Sequence, residues 1–286
     1  MLYAVIDIGS NSARLMMHDG DKTLYKRVKI TRLAEDMGEE KILTESAIDR
    51  TALAIKEFVD IAKNEKADKI YAFATAAVRY AENSAVFLDR VKSVCGFDVE
   101  VVSGDVEADL GYNGALGGRD GGVIDIGGAS AEIIVCENGK KVYSKSLDIG
   151  VVKLKDKCGQ DKRTVFEYVG DKIKEYGYIP HAKFYGIGGT ATSIAAIMLK
   201  LKQYNPDLVN GYRIQKAELK KLTDKLFSMT IEERRNLKGL QPARAEVIAG
   251  GTALMLAVMD KIGLNEITVS ESDNLEGYLM KKTEKL

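Results

Sequence analysis

The sequence predicts a two-domain α/β protein in which one design is built twice, with a cleft between the halves. Three observations carry this. Residues 3–12, YAVIDIGSNS, read as a buried strand holding Asp7, followed by a turn of Gly9, Ser10 and Asn11. Residues 121–132, GGVIDIGGASAE, repeat the plan, with apolar Val123 to Ile126, Asp125 near the strand end, and a turn at Gly127 and Gly128. Finally, 286 residues are enough for two domains of ordinary size, each with its own core. Gly114, Gly117, Gly118, Gly121 and Gly122 crowd one short interval, which places the boundary there. The expected domains are 1–118 and 119–286, with the last helix able to pack back on the first.

The repeated element has a chemical meaning. Glycine lets backbone N–H groups approach a ligand where a side chain would block it, and a row of such groups forms an anion-binding nest. One acid-and-glycine turn by itself reads as a tight hairpin with local hydrogen bonds. A second copy after an equally apolar strand shifts the reading to a phosphate site. A carboxylate beside that nest would repel a bare phosphate, but is sensible with a divalent metal in between, since Mg²⁺ binds through one or two carboxylates plus substrate oxygens.

The remaining elements follow in order. Residues 2–8, 13–18 and 24–33 read as a three-stranded meander, with Arg14 close to the first turn. An acid-and-glycine linker, 35–41, leads to a helix opened by Ser46 with Asp49 three residues on. Its Ile48, Ala52, Ile55, Val59 and Ala62 recur at helical spacing. Residues 69–75 form a strand, 84–94 a helix, 98–102 a short strand, and 105–116 a helix with Glu107 in its first turn.

The second half repeats the plan with strands at 122–127, 131–136 and 140–147. A helix at 164–176 and a strand at 183–187 follow, and the strand opens into GIGGTATS and a helix to Lys200. Leu219, Leu222 and Leu226 mark another helix, and Thr230 with Glu233 signals a capping box for the next. Pro242 suits the first turn of a long helix ending at Ile262 and closed by Gly263. Within it, Gly250 and Gly251 each cost roughly 1 kcal/mol relative to Ala, which suggests close approach by another group. A strand at 266–270 and a helix at 274–282 close the chain.

Composition excludes several classes. Lys plus Arg and Asp plus Glu number 42 each, so no global field attracts nucleic acid or a membrane, and an anionic ligand must be captured by local groups. Cys95, Cys136 and Cys158 are odd in number and in no metal-ligating spacing, which argues against a disulfide framework or structural zinc and for a reducing cytoplasm. No run approaches the ~18 apolar residues of a membrane span, and the start shows no signal-peptide pattern. His18 and His181, the only histidines, lie in no recognisable catalytic setting.

Taken together, DIGSNSARL at 7–15, TRLAEDM at 31–37, ATAAVRYAEN at 74–83, SGDVEA at 103–108, IDIGGASAE at 124–132 and GIGGTATS at 186–193 carry a resemblance. The chain resembles the exopolyphosphatase/guanosine-pentaphosphatase (Ppx/GppA) family in its short two-domain form, along essentially its whole length. The resemblance implies two duplicated actin-like domains (the ribonuclease H-like, sugar-kinase and heat-shock-chaperone superfold). It also implies Mg²⁺-dependent hydrolysis of a terminal phosphoanhydride, with Mn²⁺ as an alternative metal.

Residue by residue, the family pattern assigns Glu107 to the acid that deprotonates the attacking water and Arg79 to a basic residue beside it. It assigns Asp125 and Glu132 to metal binding, with Asp7 as symmetry mate. Ser10, Asn11, Arg14, Gly127, Gly128 and Ser130 fall to the phosphate site, and Arg32 to the path of a phosphate chain. Gly188, Gly189 and Thr190 read as a further phosphate- or nucleotide-proximal loop. A base, a metal and an arginine are the set that phosphoryl hydrolysis requires.

The chain departs from the family pattern at Ala129, where a third glycine is usual, and at Val106, where a second acid is common. It departs again at Leu275, in a closing element that usually carries arginine. These changes bear on substrate choice and rate.

Inorganic polyphosphate is the first expected substrate and pppGpp the second, with a low-activity sensor of either ligand as the non-enzymatic alternative. A sugar or acetate kinase shares the acid-and-glycine turns, but a helix-start acid suited to activating water favours hydrolysis. GIGGTA also fits a dinucleotide fingerprint, but lacks the acid expected about 20 residues on. Filament assembly is compatible by fold alone. A homodimer is compatible with the sequence.

Overall fold

Two runs of parallel strands, each preceded by an antiparallel meander, organise the chain. The computed structural model describes residues 1–38 and 40–283. Glu39, inside the linker expected at 35–41, and the last three residues lie outside the described residues. The chain divides into two compact units, residues Met1–Glu107 with the described residues from Tyr278 to Thr283, and residues Ala108–Gly277.

In the first unit, β1 (Tyr3–Ile8), β2 (Ser12–His18) and β3 (Thr23–Ile30) form the meander, followed by α1 (Glu45–Asn64), β4 (Lys69–Ala74), α2 (Ala76–Tyr80), α3 (Ser84–Cys95) and β5 (Glu100–Val101). The sheet order is β3-β2-β1-β4-β5, with β1, β4 and β5 parallel. α1 buries Ile48, Ala52, Ile55, Val59 and Ala62, the positions picked out by helical spacing. Its cap is Thr44, whose side chain accepts from the Ala47 N–H at 3.3 Å, and not Ser46. Thr44 wins because its extended backbone precedes the first helical turn, which Ser46 has already joined.

α4 (Gly104–Leu116) leads into the second unit. There β6 (Gly121–Ile126), β7 (Ala131–Glu137) and β8 (Lys140–Leu147) repeat the meander. The chain continues through α5 (Val151–Cys158), α6 (Lys162–Lys172), β9 (Phe184–Ile187), α7 (Gly188–Met198), α8 (Pro206–Val209) and β10 (Arg213–Gln215). Then come α9 (Lys216–Ser228), α10 (Ile231–Arg235), α11 (Ile248–Ile262), β11 (Glu266–Val269) and α12 (Asn274–Lys282). The sheet order is β8-β7-β6-β9-β11-β10, the order of the first sheet with one antiparallel strand added.

The division between units falls inside α4, after Glu107, rather than among the glycines around 118. The physical reason is that Ala108, Tyr112 and Leu116 form one apolar cluster with Val123, Ile134 and Ile187 of the second sheet. Glycines set the closeness of the α4–α12 crossing: a Cβ on Gly114 would lie 1.8 Å from the Asp273 carbonyl oxygen, and one on Gly277 1.9 Å from that of Leu110.

Other expectations differ in detail. α5, β10 and the short α8 are absent from the sequence reading, each being too short or too charged to show a clear period. The helix expected from Pro242 breaks into a 3-10 turn, Pro242–Arg244, followed after three residues by α11, which ends at Gly263 in the left-handed region as expected. Gly251 is the close approach that its cost suggests, since a Cβ there would stand 2.9 Å from Thr190 Cγ2; Gly250 meets only ordinary contacts. The Thr230–Glu233 capping box forms. Among the described residues no helix is long and apolar enough to cross a membrane.

Candidate functional site

Parallel strands gather the predicted residues at one edge of each sheet, outside their carboxyl ends, the position where open α/β sheets bind ligands. In the first unit, β1 ends at Ile8 and turns through Gly9–Asn11 into β2, with the Gly9 N–H donating to the Ser12 carbonyl at 3.0 Å. Ser10 and Asn11 are buried in this turn. Their carbonyls accept from the N–H groups of Thr31, Arg32 and Ala34, so the segment carrying Arg32 is strapped to the turn. Arg32 takes a left-handed φ of 49°, which costs an L-residue energy. Arg50 of α1 donates to the carbonyls of Thr31 and Arg32 and holds it there.

Asp7 and Arg14 are direct cross-strand partners. Asp7 is 4 % exposed, and its Oδ2 accepts from Arg14 Nε at 2.9 Å and Nη2 at 2.5 Å. The acid assigned by symmetry to metal binding therefore carries its own counter-ion.

Arg79 and Glu107 also meet. Arg79 sits on α2, immediately after β4, and Glu107 in the first turn of α4, which Ser103 caps by accepting from the Val106 N–H at 3.2 Å. Arg79 Nη1 donates to Glu107 Oε2 at 2.9 Å and to the Val102 carbonyl at 2.9 Å. Burial disfavours the guanidinium charge, but Glu107 and then Tyr80 overcome this and raise the Arg79 pKa. Arg79 Nε and Nη2, and Asn11 Nδ2, are buried with no hydrogen-bond partner. These are donors suited to acceptor-only groups such as phosphate oxygens.

In the second unit the same hairpin recurs with the same register. Asp125 faces Glu132 as Asp7 faces Arg14, and the Gly127 N–H donates to the Ser130 carbonyl at 2.9 Å. Ser130 is buried, and so is Ala129, the residue standing where a third glycine is usual. α5 braces the turn, its first N–H groups donating to the Gly127 and Gly128 carbonyls at 3.0 and 2.8 Å. Glu132 is 3 % exposed and accepts from Ser146 Oγ at 2.7 Å. Asp125 Oδ2 accepts from Asn274 Nδ2 at 3.2 Å.

Gly188 opens α7 with φ of 72°, and a Cβ there would lie 2.6 Å from Asp125 Oδ1, so only glycine fits. The first turn of α7 has no side-chain cap, which leaves backbone donors and the positive end of the helix dipole at this place. The Thr190 hydroxyl donates to the Ile126 carbonyl at 2.7 Å and ties α7 to β6.

Whether these residues fit a metal depends on the donor set. Among the described residues no group of three or more His, Cys, Asp or Glu side chains is arranged to hold one. Two facing carboxylates on adjacent strands nonetheless repel each other, and a hard divalent cation satisfied partly by substrate oxygens suits such a pair. Asp125 and Glu132 fit such a cation, whereas the Asp7 carboxylate shares its charge with Arg14.

Sequence reasoning missed Arg244. Its guanidinium lies against the α7 start, so that a Cβ on Gly189 would fall 2.5 Å from Arg244 Nη2. It was hidden because residues 242–262 read as one continuous helix, whereas the break at 245–247 sets Arg244 on a turn. Arg50 and Asn274 were missed as well, and no local pattern marks either.

A family model described as the Ppx/GppA phosphatase family matches residues 15–286. The chain is 30% identical over 313 residues to the bifunctional 3-dehydroquinate synthase/phosphatase of Fusobacterium nucleatum, covering 99% of this chain and 47% of that protein. It is 29% identical to exopolyphosphatase 2 of Mycobacterium tuberculosis over 310 residues, 97% of each chain. It is 27% identical to the guanosine-5'-triphosphate,3'-diphosphate pyrophosphatase of Photobacterium profundum over 304 residues, all of this chain and 60% of that protein. The chain thus spans about half to three fifths of two of these relatives. Among solved structures, the Aquifex aeolicus member of the Ppx/GppA protein family matches with a TM-score of 0.80 at 30% identity, over 100% of this chain and 98% of that one.

Proposed function

The chain belongs to the Ppx/GppA phosphatase family, and we propose that it hydrolyses the terminal phosphoanhydride of inorganic polyphosphate, releasing orthophosphate. The observation that carries this reading is the part-buried pair of Arg79 and Glu107, an acid oriented at 2.9 Å by a cation that keeps two further buried donor atoms. In the proposed reaction Glu107 accepts the proton of the attacking water, while Arg79 and Asn11 bind phosphoryl oxygens. Preorganised donors of this kind, placed where charge develops, supply most of the catalysis in phosphoryl transfer.

Asp125 and Glu132 would hold Mg²⁺, or Mn²⁺ in its place. When bound, the ion would offset the negative charge of the phosphate chain. In the first unit the turn at Ser10–Asn11 with Arg14 and Arg32, and in the second the turn at Gly127–Ser130 with the α7 start at Gly188–Gly189 and Arg244, would each offer donors to phosphate oxygens.

The 5'-phosphate of pppGpp is the second reading, because it presents the same terminal anhydride and one relative is named for a guanosine substrate. Three buried free thiols, Cys95, Cys136 and Cys158, support a reducing, cytoplasmic setting.

Phosphate release from long polyphosphate, tripolyphosphate, pppGpp and ATP, each with Mg²⁺ or with chelator, tests the proposal. Release from polyphosphate that chelator abolishes is expected, and preference for pppGpp would select the second reading. Silence on all four substrates with ligand still bound would replace the hydrolase with a sensor.

A further inference from the structure

Arg234 is the largest fully buried side chain of the molecule among the described residues, at 1 % exposure. The sequence offers a reason for the backbone around it but none for the charge. The Thr230–Glu233 capping box starts α10 and places Arg234 in its second half. Its hydrogen bonds go to neutral acceptors: the Leu226 carbonyl at 2.7 Å, Gln160 Oε1 at 2.5 Å and the Ala245 carbonyl at 3.4 Å. Burial lowers its pKa. A buried guanidinium without a carboxylate is costly, and an apolar side chain of similar volume would ordinarily serve packing better.

The destination of these bonds explains the arrangement. Gln160, held by Arg234 through Oε1, donates from Nε2 to the Glu246 carbonyl at 2.8 Å. Arg234 and Gln160 together therefore grip two consecutive carbonyls, those of Ala245 and Glu246. These directly follow Arg244, whose guanidinium packs against Gly189 at the start of α7. The 242–247 segment is a single 3-10 turn and a break, closed by the Arg244, Ala245 and Val247 N–H groups, and Arg244 Nε donates to Gln241 Oε1 at 3.3 Å; Arg234 and Gln160 add the two bonds that tie this turn to α10 and to the chain after α5. A planar fork with several donors fixes a peptide better than a lysine can.

We propose that Arg234, acting through Gln160, is the positioning residue that holds Arg244 in place for a phosphate group of the substrate at the α7 start. This rests on the phosphate-hydrolase reading above. The expected effect is on binding common to ground and transition states, hence on KM more than on kcat.

The test is a double-mutant cycle in the full chain with tripolyphosphate and Mg²⁺, using Arg234→Met, Arg244→Met and both together, with thermal unfolding of each. Arg234→Met is expected to raise KM roughly 10- to 100-fold, the range seen when an outer residue lets a ligating group shift. In the Arg244→Met background it should add nothing further, because the group it positions is gone. Arg234→Lys should recover part of the loss and Gln160→Leu should reproduce a smaller one.

An unchanged KM in Arg234→Met, or the same rise in both backgrounds, overturns the proposal and leaves Arg234 a structural residue. Where Arg234→Met does not fold, the cycle of Gln160→Leu with Arg244→Met decides by the same criteria. Where the wild type binds without turnover, the hydrolase reading fails while the cycle, read as tripolyphosphate affinity by calorimetry, still decides this one. A wild type that neither binds nor cleaves overturns both.

Discussion

The two hairpins that open the two meanders have one backbone and opposite electrostatics. Each places an aspartate on its first strand, closes through a glycine N–H onto a carbonyl three residues on, and sets a charged residue seven positions later directly across the ladder. In the first, that residue is Arg14 and the pair is neutral. In the second it is Glu132, and two carboxylates face each other, with the Ser146 hydroxyl donating to Glu132 and the Asn274 amide to Asp125. Duplication thus supplies a geometry, and a single cross-strand position decides whether the aspartate faces an opposite or a like charge. The same contrast extends outward, since the first unit also pairs Glu107 with Arg79.

The largest effect is expected at the paired charges of the first unit. Glu107→Gln should lower kcat by about 10²- to 10⁴-fold, the usual contribution of a general base, while tripolyphosphate binding persists. Single-turnover phosphate release with a parallel binding isotherm checks this. Undiminished turnover would remove Glu107 from the reaction and with it the chemical side of the contrast.

Next is Arg14→Gln, which strips the first hairpin of its counter-ion and leaves Asp7 buried without it. Breaking a buried pair in this way costs about 3 kcal/mol or more, measurable as a lower denaturation midpoint. Glu132→Gln, which removes a like charge, should leave the midpoint unchanged or raise it. Equal destabilisation by both would mean that the hairpins do not differ as argued.

Gly188→Ala probes the neighbour of Asp125. A methyl group there meets Oδ1 at 2.6 Å on a left-handed backbone, so stability should fall by about 1–2 kcal/mol and activity with it.

How much of this was legible in the sequence follows from how local each signal is. The hairpins, α1 and the α10 capping box announce themselves in strings of fewer than twenty residues, through apolar runs, glycine turns and helical spacing. Arg79 with Glu107 was assigned by family resemblance, and the structure supplies their contact across 28 positions. The pairing of Asp7 with Arg14 depends on strand register, and the place of Arg244 on a helix break. Neither leaves a trace in periodicity. The bond from the Thr190 hydroxyl to the β6 backbone joins residues 64 positions apart and is equally silent in the sequence.

The smallest effect is in acid. Glu100 loses some carboxylate stability to burial, but Lys282 and Tyr278 outweigh this and hold its pKa down at about 2 against the usual 4.5. Because the folded value is the lower one, this contribution is complete above about pH 4.5 and is lost as pH falls toward 2. The chain end from Tyr278, stacked on Phe73 at 4.4 Å, should loosen over that window. Hydrogen exchange of residues 278–282 in wild type and Glu100→Gln checks this, and the variant should show a flatter acid limb.

The most direct test of the contrast is phosphate release from polyphosphate as a function of Mg²⁺ concentration, for wild type and Glu132→Gln side by side. A saturating dependence is expected in the wild type, and in the variant a curve displaced to higher Mg²⁺ with a lower plateau that added metal does not restore. Superimposable curves would contradict it, because the facing carboxylates would then have no part in holding the cation.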